Sequence, residues 1–458
     1  MNTDATGLHG AKVAVIGLGA SGRAAALLAL AKGGEVYVSD SRTDAPAATG
    51  GAELAALGAR VEWGIHDVDW MAAADLVVVS PGIPPDAAVL RALDERGVPW
   101  ISEPELAFRF FDGPLIAVTG TNGKTTTTLL VAHLLKASGF RAAAGGNVGG
   151  GLAPAACELA LRREPPDWYV IEMSSFQLAG IERFRPDIGV VTNLSPDHLD
   201  RYVSVEEYYA DKARIFATAD TSSRWVLPDA SPAIESLVGD APGHRYRFSL
   251  SEDEGTHAFV RDGVLTLRVK GDEAILPVDA LPILGAHNRL NALAAALCAR
   301  LAGASPDGVA LGLRTARPLP HRLEPVVERR GILWVNDSKA TNVAATESAL
   351  NGLSRPVILL LGGKDKGEDF RRLRVAVSRH AHSVIVFGAA AGRLASSLEG
   401  TAPLLRIEGS LEEVVRAAAD RAREGDVVLL SPACSSFDMF GSYEERGLRF
   451  AALVRELL

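Results

Sequence analysis

Short, unbroken runs of β-branched and apolar residues recur along the chain, each followed by a small or polar turn and then by a stretch with helical spacing. Residues 13–16 run into Gly17, 36–38 into Ser39 and Asp40, 76–79 into Ser80, Pro81 and Gly82, and 116–118 into Thr119 and Gly120. The pattern returns at 168–171 before Glu172, 188–191 before Thr192 and Asn193, and 333–335 before Asn336 and Asp337. It recurs at 357–361 before Gly362, 384–387 before Gly388 and 427–430 before Ser431. Continuous apolar strands alternating with helices predict parallel sheets covered on both faces. Ligands of such sheets lie beyond the carboxyl ends of the strands, so the turn residues just named are where chemistry is expected.

One stretch departs from this pattern. Between about 245 and 278, Leu265, Leu267 and Val269 alternate with Thr266, Arg268 and Lys270, downstream of an Asp262-Gly263 turn. This predicts a small antiparallel hairpin or meander inserted in the middle domain. Two Pro- and Gly-rich junctions, Phe111-Asp112-Gly113-Pro114 and Arg317-Pro318-Leu319-Pro320, have the character of domain boundaries. The expectation is an α/β chain of three domains, 1–112, 113–320 and 321–458. The first and last read as Rossmann-like, and the middle one as a P-loop ATPase-like parallel sheet carrying the antiparallel insertion.

A length of 458 residues agrees with about three domains. The formal charge of −9 comes without a basic tract that could track a phosphate backbone, which argues against a nucleic-acid partner. A small anion remains compatible, because a few amides and one lysine can hold phosphates in an acidic protein. Cys157, Cys298 and Cys434 are far apart and form no C-x-x-C pair, which argues against a disulfide framework or a zinc knuckle. The N-terminus lacks a basic-then-apolar leader, and no apolar run approaches the ~20 residues that span a bilayer. A cytoplasmic protein without a membrane partner is expected.

Two turns carry phosphate-binding patterns. Gly17-Leu18-Gly19-Ala20-Ser21-Gly22 is a G-x-G-x-x-G after the first strand, and Asp40 ends the next strand. Its glycines allow close approach to a diphosphate; NAD, another diphosphate, or a tight turn with no ligand all satisfy it. Gly120-Thr121-Asn122-Gly123-Lys124-Thr125-Thr126 lies between a strand and an apolar helix, the context of a phosphate loop. There amides can face phosphates, Lys124 supplies a compact charge and Thr125 can ligate Mg²⁺. Val118 stands where the common spacing has its first glycine. A dehydrogenase needs only the first turn and a GTPase only the second, whereas an enzyme using ATP on a nucleotide-diphosphate substrate needs both. Glu172, closing its strand, could complete a Mg²⁺ shell or be a satisfied acid. His198 could ligate metal or touch substrate, though a lone histidine is more often structural. By pattern alone, Lys212 reads as a solvated helical lysine.

Together the 120–126 turn, Glu172-Met173-Ser174-Ser175-Phe176-Gln177, Asn193 with Asp197-His198-Leu199-Asp200-Arg201, and Gly285-Ala286-His287-Asn288 resemble the Mur ligases nearly end to end. These are the ATP-dependent amino-acid-adding enzymes of peptidoglycan synthesis. In the last third, His321-Arg322, Asn336-Asp337-Ser338-Lys339-Ala340-Thr341-Asn342, Gly362-Gly363-Lys364-Asp365-Lys366-Gly367 and Ser431-Pro432-Ala433-Cys434-Ser435-Ser436 extend the likeness. The resemblance implies joining of D-glutamate to UDP-N-acetylmuramoyl-L-alanine through an acyl phosphate and a tetrahedral intermediate, releasing ADP and phosphate. The alternative is another ATP-dependent amino-acid ligase of the Mur or folylpolyglutamate synthetase type.

The same resemblance implies roles residue by residue. Gly120 through Thr126 would hold ATP, with Asn288, Arg322 and Asp337 on the nucleotide. Thr125 and Glu172 would bind one Mg²⁺, and Lys212, as a CO₂-derived carbamate, a second with His198. Ala20, Ser21, Asp40, Arg42 and Ser80 would hold the UDP moiety, and Asn147 and His198 the substrate nearer the reaction. Thr341, Lys366, Ser436 and Tyr443 would surround D-glutamate. The implied enzyme is a cytoplasmic monomer.

Overall fold

The computed structural model describes residues 7–43, 45–197, 201–229 and 231–457. They form a three-domain α/β chain built on three sheets. The first contains β1 (Lys12–Ile16), β2 (Glu35–Asp40), β3 (Arg60–Trp63), β4 (Leu76–Val79) and β5 (Ile101–Ser102) in the order β3-β2-β1-β4-β5, all parallel. β1 and β4 are neighbours at the point where strand order reverses, the position at which such sheets take ligands.

The second sheet holds β6 (Leu115–Thr119), β7 (Ala142–Gly146), β8 (Trp168–Glu172), β9 (Ile188–Val191), β10 (Arg224–Pro228), β11 (His244–Phe248), β12 (Thr256–Arg261), β13 (Val264–Arg268) and β14 (Asp272–Pro277). Their order is β14-β13-β12-β11-β10-β9-β6-β8-β7. The expected hairpin is β12–β13, antiparallel and turning at Asp262 and Gly263, whose φ values are 48° and 75°. It extends the central sheet rather than forming a separate insertion, since β11 lies parallel to β10 and joins the two parts. Arg245 and Arg247 alternate with apolar residues in β11 because that strand is only half covered.

The third sheet comprises β15 (Glu324–Arg329), β16 (Ile332–Asn336), β17 (Val357–Gly362), β18 (Ala381–Phe387), β19 (Leu404–Arg406) and β20 (Val427–Leu430), in the order β15-β16-β20-β17-β18-β19. Only β15 is antiparallel to its neighbour.

By packing, the chain forms two compact units, Met1–Ile275 with Asn291–Leu313, and Leu276–Leu290 with Arg314–Leu458. Within the first unit, one apolar cluster includes Val13, Val15 and Leu28 from the first sheet's layer and Leu115, Leu159 and Ile171 from the second's. The helix Glu103–Phe108, leaving β5, is fastened to the central sheet's layer by Glu105. Its Oε2 accepts the N–H groups of Glu182, Arg183 and Phe184 at 3.0, 3.0 and 2.8 Å. Burying a carboxylate requires such compensation. This attachment fixes the strand ends of β1 and β4 relative to those of β6 and β8.

Candidate active site

The turn after β6, the sequence-predicted phosphate loop, is shaped by steric exclusion. Gly120 has φ 135°, and a Cβ there would lie 2.1 Å from Thr192 Oγ1. Gly123, at φ 81°, precedes the helix Lys124–Ala137, and its Cβ would meet Asn291 Oδ1 at 2.4 Å. The segment after β9 clamps the loop from outside. Asn193 Nδ2 donates to Asn122 O and Asn193 Oδ1 accepts from Asn122 N, both at 2.9 Å. Thr192 Oγ1 donates to Asn122 O at 2.6 Å. Thr121 Oγ1 donates to Ser195 O at 3.0 Å and accepts from Tyr208 OH at 3.2 Å. Clamped from outside, the loop leads into a helix N-terminus, where the helix dipole favours an anion. Lys124 Nζ folds over the loop onto Gly120 O and Thr121 O at 3.1 and 2.9 Å. Thr125 is buried and Thr126 half-buried in the helix's first turn.

Glu172 ends β8 beside this loop. Asn147 donates its backbone N–H to Glu172 O at 3.0 Å and its side-chain amide to Oε1 at 3.3 Å. Oε2 is buried without a hydrogen-bond partner among the described residues. A carboxylate oxygen held in that state calls for a cation. Together with the Thr125 hydroxyl it offers the hard oxygen donors that Mg²⁺ takes. No group of three or more His, Cys, Asp or Glu placed to hold a metal occurs among the described residues, so a magnesium here would share its shell with substrate phosphates.

Lys212 departs from its pattern-based reading. It is 1% exposed, and its Nζ donates to Gly120 O at 2.8 Å. It lies 4.6 Å from the Tyr208 ring centroid. In the helix Val205–Ala213 only Tyr208 and Lys212 are buried, one turn apart. The inward face thus carries an aromatic and a lysine, which a hydrophobic pattern cannot single out. Burial, then the neighbouring charge of Lys124, pushes the Lys212 pKa well below that of an ordinary lysine, against the pull of Asp197, Asp211 and Glu172. His198 lies outside the described residues.

Lys124, Asn147, Tyr208 and Lys212 line a cleft of about 310 Å³ that Gly82 and Ser175 also bound. Gly82 brings in the turn after β4. A second cavity, of about 260 Å³ beside His133 and Lys136, contains none of the expected site residues.

At the glycine turn, a Cβ on Gly22 would sit 1.8 Å from Gly17 O, so the helix Ala20–Ala31 starts in contact with the turn. Ser80 Oγ donates to Gly17 O at 3.1 Å, and Asp40 Oδ2 accepts from Leu18 N at 2.7 Å. Burial raises the Asp40 pKa, but hydrogen bonds from the Arg42 side chain and backbone and from Leu18 outweigh it and hold it at about 2. Asp40 is therefore ionised and orders both the turn and Arg42. Ala20 is exposed and Ser21 half-buried.

In the second unit, His321 and Leu323 flank Arg322 with φ values of 63° and 43°. Leu323 N–H donates to Asp337 Oδ1 at 3.1 Å and Ser431 Oγ to Asp337 Oδ2 at 2.8 Å. Burial pushes the Asp337 carboxyl up to about 7 despite these bonds and nearby Arg322. Asn288 is buried, its amide donating to Leu284 O at 2.7 Å. Arg446, also buried, draws the three C-terminal motifs together. Its Nε donates to Ser338 Oγ at 2.9 Å, and its guanidinium reaches Gly362 O, Cys434 O and Ser435 O at 3.2–3.4 Å. Ser436 is buried in this arrangement, Thr341 and Tyr443 are half-buried, and Lys366 is exposed. The sequence reading left out Arg446, Asn291 and Tyr208, and named Thr192 only as a strand-end turn residue. Asn291, three residues after Asn288 on one helix, was the readable signal among them.

Residues 11–102 match the Mur ligase MurD-like N-terminal domain, 118–299 the Mur ligase middle domain, and 321–434 the Mur ligase glutamate ligase domain. The chain belongs to the Mur ligase family. It is 42% identical to a UDP-N-acetylmuramoylalanine--D-glutamate ligase of Acidobacterium capsulatum, over 98% of this chain and 96% of the relative. It is 40% identical to the enzyme of that name in Koribacter versatilis, over 98% of each chain. Among solved structures it resembles Thermotoga maritima UDP-N-acetylmuramate-alanine ligase (TM-score 0.60, 20% identity, 98% of this chain and all of that one). Thermotoga maritima MurF ligase in complex with ADP gives a TM-score of 0.60 at 16% identity over the whole of both chains. Those two likenesses establish the fold. Mur ligases are ATP-dependent ligases.

Proposed function

We propose that this chain condenses D-glutamate with UDP-N-acetylmuramoyl-L-alanine, using ATP, as a cytoplasmic monomer in peptidoglycan precursor synthesis. The observation that carries the reading is the shared cleft. It brings Lys124 of the 120–126 loop, Asn147 and Lys212 together with Pro81 and Gly82 of the turn in the first sheet that would present a UDP-linked substrate, and Asn147 in turn bonds Glu172. Relatives at 40–42% identity over nearly the whole chain support the choice of substrates.

A carboxylate cannot acylate an amine directly, because oxide is not a viable leaving group. In the proposed reaction the alanyl carboxylate oxygen attacks the γ-phosphorus of ATP and ADP departs, leaving an acyl phosphate. The amine of D-glutamate attacks the carbonyl carbon, a proton is lost, and the tetrahedral intermediate collapses to the amide and inorganic phosphate. Lys124 leaves its loop carbonyls to meet the phosphates, lowering the repulsion between the two anions. Gly120 through Thr126 cradle the triphosphate. Thr125 and Glu172 would hold one Mg²⁺, and Lys212, as a carbamate, with His198 a second; bound magnesium supplies charge neutralisation at the phosphoryl group. Burial leaves the Lys212 amine prone to the neutral form that CO₂ requires.

We assign Ala20, Ser21, Asp40, Arg42 and Ser80 to the UDP moiety and Asn147 to the substrate near the reaction. Asn288, Arg322 and Asp337 are assigned to the nucleotide, and Thr341, Lys366, Ser436 and Tyr443 to D-glutamate. The corresponding domains are 1–112, 113–320 and 321–458. The test is phosphate release with UDP-N-acetylmuramoyl-L-alanine across a panel of amino acids. D-Glutamate alone should support turnover. Turnover with L-alanine or diaminopimelate instead would move the chain to another member of the family.

A further inference from the structure

Arg201 has no role in the reaction as proposed, yet it lines the same cleft as Lys124 and Lys212. Two contacts fix its guanidinium. Nη2 donates to Gly82 O at 3.0 Å, and the guanidinium carbon lies 5.0 Å from the centroid of the Phe176 ring. Phe176 is itself stacked on Tyr202 at 5.3 Å and 9° between planes, so the surface under the guanidinium is set. Gly82 belongs to the turn after β4, and Ser80 of that turn bonds Gly17 of the glycine turn at 3.1 Å. Arg201 thus spans from the switch point of the first sheet, where a diphosphate binds, towards the phosphate loop of the second.

We propose that Arg201 is a positioning residue that binds the diphosphate of the UDP-linked substrate, an inference that rests on the function proposed above. Lys124 and Lys212 both point to carbonyl oxygens of the phosphate loop. Arg201 uses one N–H of its five on Gly82 among the described residues, and the remaining planar fork matches phosphate oxygens. A diphosphate is favoured over the alanyl carboxylate on chemical grounds. A carboxylate paired to an arginine is a weaker nucleophile, whereas a diphosphate gripped there is a fixed point from which the sugar and alanine extend to Lys124. The Gly82 bond also ties that grip to the turn that receives the nucleotide.

The test is equilibrium binding of UDP, uridine, UDP-N-acetylmuramoyl-L-alanine and ATP to the full-length chain and to Arg201→Ala and Arg201→Lys. Arg201→Ala should weaken UDP and the UDP-linked substrate by about 10- to 100-fold, the effect of losing a charge-assisted hydrogen bond. Uridine and ATP affinities should stay within about threefold. In steady state the KM for the UDP-linked substrate should rise with kcat nearly unchanged. Arg201→Lys keeps the charge but lacks the fork and the flat stacking surface, so it should recover only part of the affinity; it also serves if the alanine variant misfolds. Unchanged UDP affinity in a folded variant, or a fall in kcat at unchanged affinity, would overturn the inference. Failure of the unaltered chain to bind the UDP-linked substrate would instead overturn the function on which it rests.

Discussion

Lys212 and Lys124 share one acceptor: their Nζ atoms donate to the carbonyl oxygen of Gly120 at 2.8 and 3.1 Å. Two ammonium groups converging on one buried oxygen repel each other, and Lys212, at 1% exposure, is the one that burial disfavours as a cation. A neutral amine is the form that reacts with CO₂, as the carbamate proposed above requires. Activity should therefore depend on CO₂, falling when the buffer is degassed and recovering with bicarbonate. It should also fall as pH drops and Lys212 regains its proton. Lys212→Arg, permanently charged, should be inactive while still folding. Full activity of that variant in a phosphate-release assay would remove Lys212 from the mechanism.

The loop glycines make a second prediction. A Cβ on Gly120 would lie 2.1 Å from Thr192 Oγ1 and 3.0 Å from Asn193 O, and Gly120 sits at φ 135°. Gly120→Ala must therefore push the loop away from the segment that clamps it. ATP affinity should fall by 10-fold or more, since both the steric clash and the left-handed strain act on the same turn, about 1–3 kcal/mol for the strain alone. UDP binding should be untouched. Titration with a fluorescent ATP analogue separates the two, and equal losses for both nucleotides would indicate general unfolding instead.

Asn193 acts on the same loop through the backbone of Asn122. Its amide exchanges two 2.9 Å bonds with the backbone of Asn122. Asn193→Ala removes both, taking this partner from Asn122 N–H and leaving Asn122 O with the Thr192 hydroxyl at 2.6 Å. The expected cost is about 1–3 kcal/mol of loop order, seen as a KM for ATP raised roughly tenfold or more with little change in melting temperature. Asn193→Asp should keep the acceptor to Asn122 N–H and lose the donor, giving an intermediate value. A wild-type KM for ATP in the alanine variant would show that the loop is ordered without this clamp.

Much of this arrangement was legible because buried parallel strands are written in Val, Ile and Leu, and turns in Gly, Ser, Asn and Asp. The strands ending at Gly17, Gly120, Glu172 and Asn193 could be read directly. β7 could not: its sequence is Ala142-Ala143-Ala144-Gly145-Gly146, with no β-forming side chain, and it is a strand because it pairs along β8 from Trp168 to Glu172. Edge strands such as β19 are short and half-covered, so they carry little pattern. Lys212 looked solvated because local periodicity ranks lysine as a surface residue. Arg446 was invisible for the same reason, although its guanidinium is what the three C-terminal motifs share. The role of a buried cation depends on contacts 92 to 108 residues away in sequence, as for Lys212 with Gly120 and Arg446 with Ser338, which local pattern does not encode.

The last prediction concerns pH and stability. Glu103 is fully buried at the start of the helix that joins the first two sheets' layers. Its Oε1 accepts from Cys157 N–H, and its Oε2 has no partner among the described residues. Burial pushes its carboxyl up to about 7, only partly offset by the bonds from Cys157. In the unfolded chain the same group titrates near 4.5. Between these values the native state holds the proton and the unfolded state does not. The contribution of Glu103 is thus fully present below about 4.5 and is lost as pH rises through 7, by at most roughly 3 kcal/mol. Asp337, raised to about 7 from 3.8, works in the same sense in the other unit. The melting temperature of the unaltered chain should therefore decline from pH 5 to pH 8 more than that of Glu103→Gln, which stays neutral throughout. Asp337→Asn should flatten the profile again when added. If Glu103→Gln follows the unaltered curve across the whole range, the carboxyl is ionised in the folded protein and a water or cation must satisfy Oε2.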